Sequence, residues 1–158
     1  MRTPARLGLV VLVAAPLALG ACAATPSVDL DEARAWLETV QAEQSDGPGS
    51  AGSASMLVQD SADHDDEDEG IRLDFAAPTD LKRAEASCFG GGTVDVLVTV
   101  FSADGTTSDT ADLAVPCDED PHDIVLDSTA SSAALISAHG SSATYVHVEL
   151  IQTLTVER

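Results

Sequence analysis

From residue 93 to 101 the chain places a valine at every second position, Val94, Val96, Val98 and Val100, with Asp95, Leu97 and Thr99 between them. Successive side chains of a β-strand point to opposite faces, and β-branched residues suit its pleated surface. A period of two sustained this long implies a strand with one buried face, not an amphipathic helix. The period recurs in Ile71, Leu73 and Phe75, and again in Val146, Val148 and Leu150, which alternate with Tyr145, His147 and Glu149. Further strands are expected over 56–58, 81–88, 112–116, 123–126 and 133–137, with the last running from 144 to 154. Pro78, Gly90-Gly91-Gly92 and the hairpin signal Asp104-Gly105 punctuate them. About seven short strands without intervening helices imply an all-β fold. The expectation is an antiparallel β-sandwich, immunoglobulin-like or jelly-roll-like, over residues 71–158.

The segment before it reads differently. Residues 27–44 carry a helical pattern, opening on Asp29 and Glu32 in a capping-box-like arrangement. Leu30, Ala33, Leu37 and Val40 fall on one face, with Trp36 beside them. Such a stripe packs on the chain's own domain or, as the alternative, docks a partner. Residues 45–55 are rich in Gly and Ser around Pro48, and residues 60–69 are densely acidic, so 45–70 is expected to be a flexible, solvated linker.

Residues 1–21 show the parts of an export signal in order: Arg2 and Arg6, then an apolar run, then small residues. The run, residues 7–19, is too short for a bilayer core that needs about 20 residues. Leu19-Gly20-Ala21-Cys22 resembles the lipobox of bacterial lipoproteins. That resemblance implies cleavage before Cys22, diacylglycerol on its thiol and a further acyl chain such as palmitate on its amine. Two or more chains hold a protein stably on a membrane where one does not. Residues 22–44 would then be a lipidated N-terminus followed by the helix, on the outer face of the cytoplasmic membrane. The alternative is an ordinary secretory cleavage nearby. Arg2 and Arg6 stand apart, so a twin-arginine export signal is missing.

Removing residues 1–21 takes away two of the seven basic residues and none of the 27 acidic ones, leaving a formal net charge of −22. A surface this negative repels nucleic acid and anionic headgroups, which excludes DNA and RNA as partners. There is no Asn and a single Lys, Lys82, a bias that fits GC-rich coding or salt adaptation as well as solubility. Cys88 and Cys117 remain after Cys22. In an exported chain an even pair is most simply a disulfide, closing a loop of roughly 30 residues. A reactive or metal-binding pair is the rival reading, weakened because neither cysteine lies in a C-x-x-C motif.

Three segments carry a family resemblance: Cys88-Phe-Gly-Gly-Gly-Thr-Val-Asp-Val-Leu-Val, Val115-Pro116-Cys117-Asp118 and Tyr145-Val-His-Val-Glu-Leu. With the leader, they resemble small secreted lipoproteins of actinobacteria. The resemblance implies a disulfide-stapled β domain behind a spacer and transfers no catalytic residue.

Chemistry has three candidate seats. The acidic run offers Asp60, Asp63, Asp65, Asp66, Glu67, Asp68 and Glu69, oxygen ligands suited to Ca²⁺. Counted from Asp63, however, Glu67 and Asp68 occupy the positions where an EF-hand loop needs Asp and Gly. His64 lies inside the run, while His122, His139 and His147 are scattered singly, without H-x-x-H or H-E-x-x-H spacing. No G-x-S-x-G elbow or S-x-x-K motif is present, and aromatic platforms for a sugar chain are few. The expectation is a non-catalytic, lipid-anchored envelope protein that binds or scaffolds an envelope partner and needs no cofactor. A calcium-binding protein acting through the acidic run is the first alternative, and a small extracytoplasmic hydrolase the second. The sequence sets no oligomeric state.

Overall fold

The structure, a computed structural model, describes residues 28–44, 47, 49–59 and 70–153. One helix, α1 (Leu30–Gln44), precedes six strands. These are β1 (Ser50–Val58), β2 (Ile71–Cys88), β3 (Thr93–Ser102), β4 (Thr107–Pro116), β5 (His122–Gly140) and β6 (Thr144–Gln152). All pairings are antiparallel, in the order β1-β6-β2-β5-β3-β4.

The sandwich is this single sheet folded over on itself. Residues 81–88 of β2 pair with β6 on one side and with residues 122–128 of β5 on the other. Residues 71–74 of β2 instead face the far half of β5, whose residues 131–140 also carry β3. Between the halves the β2–β5 register slips three times, from Asp74 to Arg83. Strands that pass from one layer to the other turn through such bulges. Asp80 pins the corner: its carboxylate accepts the backbone N–H of Ala130, which holds a left-handed φ of 51°.

The closure is visible where strands distant in the sheet touch. β2 and β4 are separated by two strands, which in a flat sheet sets them about 14 Å apart. Yet Cys88, at the end of β2, and Cys117, just past β4, form a disulfide with Cα atoms 4.4 Å apart. Backbone bonds surround it, from Gly91 N–H to Cys117 C=O (2.7 Å) and from Glu119 N–H to Cys88 C=O (3.1 Å). Farther along, Ser108 and Ser128 hydroxyls meet at 2.9 Å and Asp109 accepts the N–H of Asp127, tying β4 to the first half of β5. The two layers enclose an apolar interior in which Val94, Val96, Val98 and Val100 of β3 share space with Ile124, Leu126, Ile136 and the inner face of β6.

Two sequence expectations change. Pro78 does not end a strand, and β2 and β5 are continuous strands of 18 and 19 residues, each read from the sequence as two. The exposed Ala76-Ala77-Pro78 and the polar corner of β5 interrupt the apolar alternation, which imitates a turn; Pro is tolerated there because the ladder is already broken. The linker expected over 45–70 is partly structural as well. β1 occupies residues 50–58, far longer than the expected 56–58, and pairs with β6 from Ser50↔Ile151 to Val58↔Thr144. β1 is mostly half-buried, and Gly52, where the register with β6 shifts, takes a φ of +147°.

Candidate functional site

The helix meets the sheet on β6. Asp29 caps it, its carboxylate accepting the N–H groups of Asp31 and Glu32 at 3.0 and 3.3 Å. From the expected stripe Ala33, Leu37 and Val40 are buried, whereas Leu30 at the helix start is exposed. Trp36 stacks at a tilt on Phe89, ring centroids 6.0 Å apart. Val28 sits on the β2–β3 connection, where a Cβ at Gly90 would come within 2.7 Å of its methyl carbon; Gly90 also needs its φ of +99°. The helix is therefore docked on the domain, in agreement with the packing reading of its stripe.

Docking buries the outer face of β6, which a plain alternation would leave in water. His147 is fully buried and Glu149 is 5% exposed. A chain of polar contacts crosses the interface. Gln41 of α1 donates its side-chain N–H to the Ser55 hydroxyl of β1 (2.9 Å), and Ser55 Oγ lies 2.8 Å from His147 Nδ1. The other ring nitrogen, Nε2, is buried without a hydrogen-bond partner among the described residues. Burial pushes the His147 pKa down, because the charged imidazolium would lose its hydration. At the helix N-terminal side Arg34 donates to the Tyr145 hydroxyl at 3.3 Å. Across β2, Ser87 stands opposite His147 and Glu85 opposite Glu149. Arg83 pairs with both Glu85 and Asp123 on the exposed margin of this face.

A Ser–His contact of 2.8 Å is within reach for general-base activation of a hydroxyl. In a nucleophilic triad a third group holds the far ring nitrogen and substrate reaches the hydroxyl from solvent. Here Nε2 has no such partner among the described residues, Ser55 Oγ already accepts from Gln41, and α1 covers the pair. The arrangement links α1 to β1 and β6 through Gln41, half-buried Ser55 and buried His147.

The residues singled out from the sequence fall into separate places. Cys88 and Cys117 are joined, as the simplest reading of an even pair requires. Cys22, His64 and the carboxylates Asp60, Asp63, Asp65, Asp66, Glu67, Asp68 and Glu69 lie outside the described residues. Among the described residues no three His, Cys, Asp or Glu side chains converge as a metal site. His122 contacts Asp118 at 2.9 Å beside the disulfide, and that hydrogen bond is the main reason the Asp118 carboxyl titrates below its usual range. In the β3–β4 hairpin, Ser102 and Thr106 hydroxyls and the Thr106 N–H all donate to Asp104. Together they lower its pKa to about 2. Gly105 takes the positive φ that the Asp-Gly pair announced.

The His147 cluster was not singled out by sequence reasoning. Alternation puts Tyr145, His147 and Glu149 on one face but does not say that a helix covers it. The signal was the apolar stripe of α1, which had to bury itself against the outer face of some strand. No protein-family model, curated protein or solved structure matches this chain.

Proposed function

We propose that this chain is a lipid-anchored, non-catalytic protein of the cell envelope that works as a binding or scaffolding module. The observation that carries the reading is the division of labour among its three cysteines. Cys88 and Cys117 close a disulfide, a bond favoured in oxidising compartments, and Cys22 stands apart at the end of Leu19-Gly20-Ala21. A thiol in that position has lipidation as its chemistry. Among the described residues no helix is long and apolar enough to cross a membrane, so attachment by acyl chains on Cys22 would suffice without one.

Docking of α1 changes how such a module would be presented. α1 ends at Gln44 and packs on β6, and β1 starts in the sheet at Ser50. Val28, packed at Gly90, lies six residues after Cys22, a stretch that can span at most about 20 Å. A lipid on Cys22 would therefore hold the sandwich close against the membrane surface.

The test is expression in a lipoprotein-processing host with radiolabelled palmitate. The chain should take up label and sediment with membranes, and Cys22→Ser should lose both while keeping the disulfide. A wild-type chain that is exported, unlabelled and released would end this reading and leave an ordinary secreted domain. The calcium alternative separates on thermal unfolding of the full chain: a rise in Tm with Ca²⁺ that Mg²⁺ does not reproduce would support it, by mass action on the folded state.

A further inference from the structure

We propose that the α1–β6 interface is an acid-released clasp: proton uptake at His147 undocks α1 from the sheet while the sandwich beneath it stays folded.

The geometry carries this. His147 is fully buried on β6, the strand that α1 packs against, and its two nitrogens are unequally served. Nδ1 has the Ser55 hydroxyl; Nε2 has no partner among the described residues. Nε2 is equally unpartnered in the neutral and the protonated ring, so what protonation adds is a second N–H and a full charge in a buried site. An imidazolium carries N–H on both nitrogens. Its Nε2–H would point into the interface unpaired, with a full charge behind it, which a buried site does not support.

The groups that could compensate can be taken element by element, among the described residues. On β6 itself Tyr145 is engaged by Arg34, and Glu149 is the nearest carboxylate along the strand, on the same face two residues away. On β1 the residues opposite this face are Ser53, Ser55 and Leu57, none of them charged. On β2 Ser87 lies opposite His147, and Glu85, opposite Glu149, is held by Arg83. From α1, Gln41 reaches in, while Arg34 and Glu38 are exposed. Neither carboxylate bonds His147, and burial is what moves its titration downward.

The sign follows. Docked α1 holds His147 neutral; undocked, the ring meets water and titrates near its ordinary value of about 6.5. The undocked state binds the extra proton, so docking is at full strength above about pH 6.5 and weakens as pH falls below it. The docking equilibrium drops by up to tenfold per pH unit until the depressed pKa of the docked state is reached. The sandwich is spared because its interior is on the other face of β6 and its layers are tied by the disulfide. None of this depends on whether Cys22 carries lipid.

Trp36 is the single tryptophan of the chain and sits on α1 against Phe89, so its emission reads docking directly. The experiment follows Trp36 emission of the full chain from pH 8 to 4.5, alongside the β-sheet circular dichroism signal. The expected result is a reversible red shift with a midpoint below 6.5 and an unchanged sheet signal. Leu37→Ala, which weakens docking, should move that midpoint to higher pH. His147→Asn can keep a contact with Ser55 but cannot titrate, and its emission should stay flat over the range. A flat wild-type profile overturns the proposal, and so does a His147→Asn profile that follows the wild type, which would assign the transition to carboxylates. Should His147→Asn not fold, proton NMR of the wild-type histidines decides. One imidazole must titrate in step with Trp36, and four that titrate independently of it overturn the proposal.

Discussion

On one face of β6, Val146, Val148 and Leu150 are fully buried against the valines of β3 and the inner residues of β2 and β5. On the other face, Tyr145, His147 and Glu149 lie beneath a single helix held by three buried apolar residues and a short polar chain. Both faces exclude water, but they do so on different terms. The inner face is apolar throughout, so every group removed from water contributes to stability. The outer face contains an imidazole with a nitrogen unmet among the described residues, which subtracts from it. The strand is thus shared between a core and a lid, and the lid should be the first region to open.

Breaking the inner face should cost the whole fold. Leu150→Ala is expected to destabilise the protein by about 3 kcal/mol, with Trp36 emission and the sheet signal lost in one transition on urea unfolding. Two separated transitions would mean the inner face is not the shared core.

The outer face should yield differently. Leu37→Ala should weaken docking by about 2 kcal/mol, with the Trp36 transition moving to lower urea while the sheet transition stays in place. If both shift together, helix and sandwich form one cooperative unit and the contrast fails. Ser55→Ala removes the bonds to His147 Nδ1 and from Gln41, and a loss of roughly 1–2 kcal/mol is expected in the same Trp36 transition. The gentlest perturbation is Asp29→Ala, which unmakes the N-cap; faster amide exchange across the first turn of α1, equivalent to about 1 kcal/mol, should appear without change in β6.

The inner face was legible in the sequence because strand periodicity registers burial directly. The valines of β3 and the Val146, Val148, Leu150 series sit where their alternation puts them, and Asp104-Gly105 makes its hairpin. The sandwich class followed from the same periodicity, and the cysteine pairing from an even number of cysteines in a chain read as exported. Three features were hidden for physical reasons. The corners of β2 and β5 break the alternation with bulges, so each long strand read as two. β1 opens on Gly, Ala and Ser, a composition that otherwise marks a linker. His147 sat on what looked like a solvent face, because periodicity reports which residues share a side and not what covers that side. The acidic carboxylates and Cys22 lie outside the described residues, so the sequence alone speaks for them.

The disulfide also sets how the molecule would answer a pull along its N-terminal end. Tension arriving there enters through α1, whose contacts with β6 give way in succession, like a peeled strip. Farther in, the Cys88–Cys117 bond short-circuits the chain, so β3, β4 and their hairpin lie outside the path of the force. The bypassed segment, spanning a separation of 29 residues, withholds about 100 Å of contour length that no extension can draw on until the bond is reduced.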